Sequence, residues 1–441
     1  MDLGNNGCCS VQNLSKNGYC NKQNTLENGD YSVQNNQPCY TDAMDRLFEY
    51  YRRRLQHTDM ALVRNLEREI SWNARLVGIK GARGCGKTTL MLQHIKKDFS
   101  TNPDVALYVS LDNIWFSNNR LIDLVDFFMK RGGTHIFLDE VHKYPNWAIE
   151  IKNLYDEYPS LHIIFTGSSL LEMVKARADL SRRALMYELP GLSFREYLQI
   201  EAKFNFPVLA IGEVCNEHSR ITQEIVPRVK PFSHFENYLK WGYYPYYLEG
   251  VEDYPQRLEE TVLMILEQEL PLLRGVDPAY VPKLKQLLAI IAESAPFVPN
   301  VSKLSERIGI NRQTFITYLN YLEQAKLIRM IYRDTHGIGL LQKPDKIFLD
   351  NTNLMHLLGG DTLSVGNKRE TFIVNQISQV ADVRFSPQSD FLVDGMYTIE
   401  VGGKNKTRKQ LQGLSDAFVA SDGIEQGFGR KIPLWLFGFL Y

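Results

Sequence analysis

Five apolar runs punctuate the first half of this chain: Arg75–Lys80, Val105–Leu111, Thr134–Leu138, Leu161–Thr166 and Ala184–Leu189. Between them lie stretches with helical spacing at about 88–98, 119–131, 145–157 and 168–178. Runs such as Ile136-Phe-Leu138 and Ile163-Ile-Phe165 carry no polar alternation, as strands buried on both faces do. The alternation of strand and helix predicts an α/β fold, a parallel sheet built from βαβ units with helices on both faces. Ahead of it, Leu47, Tyr50, Tyr51, Leu62, Leu66 and Ile70 recur at helical spacing from 44 to 70.

Beyond residue 200 the pattern changes. Ser193–Ile200, Pro231–Leu239 and Tyr254–Leu270 read as helices, and residues 201–275 are expected to form a helical lid. The cluster Trp241–Tyr247 fits a packed loop, with base stacking as the alternative reading. From 276 to 350 the apolar positions Leu304, Ile308, Ile310, Phe315, Leu319 and Leu322 bury one side of two short helices. Gly309 sits in the turn and Asn311 is a natural N-cap, which is the pattern of a helix-turn-helix. Ile328–Tyr332 and Lys346–Leu349 would be its wing strands. Residues 351–441 carry a helix at Glu370–Val380. Strand signals follow at 384–386, 390–393, 396–401, 417–420 and 434–440, an α+β pattern.

Composition removes some possibilities. Fifty Lys and Arg balance fifty-one Asp and Glu, a net charge of −1, so no bulk field draws the chain to nucleic acid or an anionic membrane. No secretory signal pattern opens the sequence and no uncharged run reaches membrane-spanning length, so a cytoplasmic protein is expected. Four of the six cysteines lie in the first forty residues, with no metal-site spacing. Residues 1–43, rich in Asn, Gln, Ser and Gly, are expected to be disordered, with Met44 a second plausible start.

Candidate chemistry concentrates after the first strand, where Gly81, Gly86, Lys87 and Thr88 have the spacing of a phosphate-binding loop. Glycines at 81, 84 and 86 let the backbone curl and turn N–H groups inward, with Ala82, Arg83, Cys85 and Thr89 completing the cradle. The helix that begins near Lys87 adds unpaired N–H groups and the positive end of its dipole. Lys87 can reach the β- and γ-phosphates, and the Thr88 hydroxyl is placed to ligate Mg²⁺. The third strand ends in Asp139-Glu140. Asp139 would complete the Mg²⁺ site and Glu140 would polarise an attacking water. The fourth strand ends at Thr166-Gly-Ser-Ser169, where a hydroxyl can sense the γ-phosphate or cap the following helix.

These elements resemble the AAA-type, additional-strand class of P-loop ATPases. A closer resemblance is to the prokaryotic ATPase family that joins this module to a C-terminal domain of unknown function. The carriers are Gly81-Ala-Arg-Gly-Cys-Gly-Lys-Thr-Thr89, Phe137-Leu-Asp-Glu-Val-His-Lys-Tyr-Pro145 and Phe165-Thr-Gly-Ser-Ser169. They continue in Leu180-Ser-Arg-Arg-Ala184, Leu189-Pro-Gly-Leu-Ser-Phe-Arg-Glu196, Trp241-Gly-Tyr-Tyr-Pro245 and Glu400-Val-Gly-Gly403. The resemblance implies an ATPase domain over 44–200 that hydrolyses ATP to ADP and phosphate with Mg²⁺. It also implies an arginine at 183 acting on the γ-phosphate in cis or in trans, against the alternative of a solvated strand entrance.

For the C-terminal hundred residues the resemblance implies a restriction-endonuclease-like core. Asp390 and Glu400 would be its acids and Glu370 a third. Gly402 occupies the lysine position, and Lys404 is the nearest lysine, on the same face if the strand runs on regularly, whereas Gly402-Gly403 suggest a bulge or early turn. A two-residue turn at Asp394-Gly395 would send Asp390 and Glu400 to opposite faces, while a three-residue loop would unite them. The helix-turn-helix is expected to expose Arg312, Gln313, Thr317, Asn320 and Tyr321, for contact with double-stranded DNA, with internal packing or protein contact as the alternative. The reading is a Mg²⁺-dependent ATPase coupled to a C-terminal contact module, soluble and of undetermined oligomeric state. The alternatives are a nucleotide switch with negligible turnover and an ATP-gated nuclease.

Overall fold

The computed structural model describes residues 40–167, 180, 182–333, 343–360, 364–407 and 411–441. The expected disordered segment up to 39 and the helix at about 168–178 with Ser168 and Ser169 lie outside the described residues. Among those described, no helix is long and apolar enough to cross a membrane.

β1 (Leu76–Lys80), β2 (Ala106–Ser110), β3 (His135–Asp139), β4 (His162–Gly167) and β5 (Leu185–Glu188) form an all-parallel sheet in the order β2-β3-β4-β1-β5. β4 is inserted between the strand that leads into the glycine loop and the strand that ends in Asp139. All five strands run the same way, so the glycine loop, Asp139 and Gly167 share the carboxyl edge where ligands of such sheets bind. The helices Lys87–Asp98, Leu121–Lys130 and Trp147–Glu157 cover the sheet and bury Leu90, Leu124 and Ile151.

The amino-terminal helix begins at Tyr40, ahead of the expected start at 44, and it stops at His57 rather than continuing to 70. Asp59 accepts from the Ala61 N–H at 2.8 Å, a side-chain turn that competes with the helix. The Asp59 and Leu62 carbonyls then accept from the Gln93 amide at 2.7 Å each. The helix end is thereby traded for a linker that crosses the glycine-loop helix.

Past residue 190 most described apolar side chains from Leu192 to Tyr441 form one continuous core, separate from the core of residues 47–189, with Leu411, Ala417 and Val419 a small third cluster. The expected boundaries at 200, 275 and 350 therefore do not separate cores. Phe194 and Leu198 pack into the second core, and helix Ile211–Ile225 lies on the final strand and the segment after it. Helices Val301–Ile308 and Arg312–Gln324 meet at Gly309, whose φ of +70° suits glycine. β6 (Ile328–Ile331) and β7 (Lys346–Leu349) follow as an antiparallel ribbon.

The last sheet runs β12-β11-β10-β9-β8, from β8 (Val383–Phe385), β9 (Phe391–Val393), β10 (Tyr397–Gly402), β11 (Ala417–Ser421) and β12 (Lys431–Pro433). Residues 434–440 had the strand signal, yet Leu434–Phe439 is a 3₁₀ turn. Pro433 lacks the N–H that would continue the ladder, and Leu434 to Phe439 are buried on every side, not on alternate ones.

Candidate functional site

The glycine loop folds as its composition requires. Gly84 and Gly86 have φ of +80° and +98°, conformations costly for any side chain. A Cβ at Gly84 would also lie 2.6 Å from the Tyr246 ring. The Trp241–Tyr247 cluster is thus packing: Tyr243, Tyr244 and Tyr247 are buried, and Tyr246 backs the loop. Lys87 is 5 % exposed, and its ammonium donates to the Gly81 and Ala82 carbonyls at 3.0 Å each. Cys85 is fully buried, with its sulfur packed against Gly81.

Asp139 is the hub of the site. Its Oδ2 accepts from the Thr88 hydroxyl at 2.6 Å and the Tyr108 hydroxyl at 2.8 Å. Its Oδ1 accepts from the Thr166 hydroxyl and from the Glu140 N–H at 3.1 Å. Thr88 and Asp139 together present hydroxyl and carboxylate oxygens, the hard donor set that Mg²⁺ prefers. Glu140 takes a φ of +51°, rare for a residue with a side chain and a form of strain found at functional turns. Its carboxylate lies 3.4 Å from His142 Nε2. Burial holds the His142 imidazole down to about 4, helped by the charges of Lys143, Lys87 and Arg83, so the ring is neutral at pH 7.

A cavity of about 420 Å³ runs over this edge, large enough for a nucleotide. Gly84–Leu90 of the loop and its helix line it together with Glu140, with Asp59, Leu62, Arg64 and Gln93, and with Pro245, Tyr246, Leu248 and Glu249. The predicted residues Gly81, Lys87, Thr88, Thr89, Asp139, Glu140 and Thr166 are therefore brought together at the carboxyl edge.

Arg183 is not among them. Val77 pairs with Leu185, so Arg183 stands at the amino edge, level with Arg75 and roughly 20 Å of strand away from the loop. There it donates twice to the Asp156 carboxylate, at 3.1 and 3.0 Å. The cis role fails on geometry. Three contributors escaped the sequence reading. Tyr108 was hidden as one polar hydroxyl inside an apolar strand. Arg64 and Glu269 lie far from any motif, although Arg83 of the loop reaches Glu269 at 3.3 Å.

In the C-terminal sheet, Val393 pairs with Tyr397 across a three-residue loop in which Asp394 and Gly395 both have positive φ. Asp390 and Glu400 thus fall opposite one another, as the three-residue alternative required, although the loop starts one residue later than expected. Lys404 does not join them. Its carbonyl accepts from Lys431, and Lys406 reaches Glu400 instead, at 2.6 Å. Lys406 lies over Gly402, filling the space a side chain there would take. Lys346 pairs with Glu370 and stands 3.9 Å from Asp390. Burial raises the Glu370 pKa, and Lys346 opposes the rise. Among the described residues no three His, Cys, Asp or Glu side chains converge as a metal-holding set.

Residues 73–198 match the family model described as an AAA domain, and residues 232–364 match a domain of unknown function, DUF8612. The uncharacterized protein MJ1637 of Methanocaldococcus jannaschii is 26% identical over 390 residues, covering 81% of each chain. Among solved structures, the Aeropyrum pernix ORC1 protein in complex with DNA is 14% identical at a TM-score of 0.29, over 74% of this chain and 93% of that one. AMPPCP-bound DnaA from Aquifex aeolicus is 14% identical at 0.24, over 65% of this chain and 89% of that one. The AAA match and the strand order together make residues 73–198 an AAA-type P-loop domain.

Proposed function

We propose that this protein is a Mg²⁺-dependent ATPase whose nucleotide state is coupled to its C-terminal half, a module for contact with DNA or protein. The observation that carries the reading is the Thr88 hydroxyl 2.6 Å from the Asp139 carboxylate, beside Lys87 and Glu140 on one cleft. The loop N–H groups would bind the phosphates, and Lys87 would leave the Gly81 and Ala82 carbonyls to meet the γ-phosphate. Thr88 and Asp139 would hold Mg²⁺, which supplies neutralising charge to the β- and γ-oxygens. Glu140, which lines the cleft, would orient and deprotonate the water. Thr166 would sense the γ-phosphate through Asp139. Arg183, at the far edge of the sheet, suits only action on a neighbouring copy.

Two polar links support coupling. Arg83 in the loop reaches Glu269 in the helical segment. Lys80, one residue before the loop, pairs with Glu188 at 2.8 Å, and Glu188 pairs with Lys326 beside the ribbon at 2.5 Å. Two short helices followed by an antiparallel ribbon fit a winged helix-turn-helix, with Arg312 and Gln313 exposed. Thr317, Asn320 and Tyr321 are only half-exposed, and Arg274 lies over the Tyr321 ring and against Gln324, so DNA contact would fall on the helix start. The final sheet is read as a restriction-endonuclease-like fold used for contact, because Lys346 and Lys406 already neutralise its acids. Phosphate release from ATP is the test, with and without duplex DNA and Mg²⁺. Hydrolysis that needs Mg²⁺ and changes with DNA supports the reading. Tight ATP binding with no release under any condition replaces it with a nucleotide switch.

A further inference from the structure

Arg64 is 5 % exposed, and each of its side-chain nitrogens has a partner. Nη1 donates to the Cys85 carbonyl at 2.8 Å, and Nη2 to the Pro190 and Gly191 carbonyls at 2.8 and 2.9 Å. Nε donates to Glu196 Oε1 at 3.0 Å. One guanidinium thus joins the glycine loop to the chain leaving β5 and to the start of the second core. The planar fork of donors is specific to arginine, since a lysine ammonium offers no such fixed geometry.

The contact at Cys85 has a consequence for the loop. In a trans peptide the carbonyl and the following N–H point in opposite directions. The peptide between Cys85 and Gly86 borders a glycine with φ of +98°, where the plane turns at little cost. Something outside the loop must fix it. We propose that Arg64 is a positioning residue for the phosphate cradle: by holding the Cys85 carbonyl outward it aims the Gly86 N–H at the β-phosphate. The inference rests on the nucleotide site proposed above. Arg64 also lines both the nucleotide cavity and a smaller one of about 240 Å³ that Pro190 and Glu196 line as well. Water can therefore reach the partner carbonyls when the side chain is shortened, and a folded variant is expected.

The test titrates the full chain with ATP and with ADP, with Mg²⁺, for wild type, Arg64→Lys, Arg64→Gln and Phe235→Leu. Phe235 is buried in the second core against Phe194 and Phe372, so its truncation lowers stability without touching the loop. Both nucleotides carry the β-phosphate, so each Arg64 variant should bind ATP and ADP about 10- to 100-fold more weakly and by the same factor. The kcat at saturating ATP should stay within about threefold, because the loss falls on binding in both ground and transition states. Phe235→Leu should unfold at lower temperature and bind both nucleotides as wild type does. Unchanged affinity in the Arg64 variants, an ADP affinity that is spared, or an equal loss in Phe235→Leu overturns the proposal. Failure of both Arg64 variants to fold cooperatively makes the residue a support of the fold and overturns it too. A wild type that binds neither nucleotide removes the site reading first, and this proposal with it.

Discussion

Replacing Asp139 by Asn should destabilise the protein even with no nucleotide present, and the size of the loss follows from its partners. Oδ2 accepts from two hydroxyls, Thr88 and Tyr108, and Oδ1 from the Thr166 hydroxyl and the Glu140 N–H. The backbone N–H cannot reverse its direction, so the Asn oxygen must take the Oδ1 side. The amide NH₂ then faces Thr88 and the buried Tyr108 hydroxyl, whose protons must turn elsewhere. Two bonds to a charged acceptor, each worth about 1.5–3 kcal/mol, become weak or are lost, for a net cost of about 2–4 kcal/mol. For a unit of this size that is roughly 5–15 °C in melting temperature. Tyr108→Phe should cost only about 1 kcal/mol, since three donors to Asp139 remain. Calorimetry without nucleotide or Mg²⁺ reads both. An acid kept solely for a metal would be unpartnered here, and its removal would leave the melting temperature level or raise it. That result in Asp139→Asn would refute the reasoning.

Gly84→Ala combines a φ of +80° with a Cβ 2.6 Å from the Tyr246 ring, so calorimetric titration should show ATP affinity at least about tenfold lower. Adding Tyr246→Ala should recover part of it. At Glu188 burial raises the pKa, but Lys326 and Lys80 outweigh it and hold the group near 2. A depressed acid stabilises above its unfolded value of 4.5, so this contribution should be lost as pH falls from 4.5 towards 2. Partial exposure limits it to about 1–2 kcal/mol, and urea midpoints of Glu188→Gln should lack that part of the acid slope. His142, held near 4, is a buried neutral base, so its contribution is complete above 6.5 and lost as pH falls towards 4. Wild type should lose about 2 kcal/mol from this group between pH 7.5 and 5, a loss that His142→Gln should lack.

The sheet and its loop were legible because their signals are local. The spacing of Gly81, Gly86, Lys87 and Thr88 needs only eight residues, and a buried parallel strand announces itself as an unbroken apolar run. What could not be read depended on chain partners far away. Arg64 acquires its role from Cys85 and Gly191, up to 127 residues on. Arg183 sits in a motif-like position, but only the register of β5 against β1 reveals which edge of the sheet it occupies. The strand signal at 434–440 failed because an apolar run buried on every side looks the same whether it pairs in a sheet or packs as a tight turn. Lys404 failed because counting along a strand presumes no bend, whereas Gly402 and Gly403 let the chain bring Lys406 back over Gly402.

The most direct test of the central claim is single-turnover hydrolysis of ATP with Mg²⁺ by wild type and Glu140→Gln, with ATP affinity measured on the same samples. The account predicts that Glu140→Gln binds ATP within a few-fold of wild type and hydrolyses it about 10²- to 10⁴-fold more slowly, the usual worth of a general base. Equal hydrolysis by the two proteins would contradict it and would move the water-activating role away from Glu140.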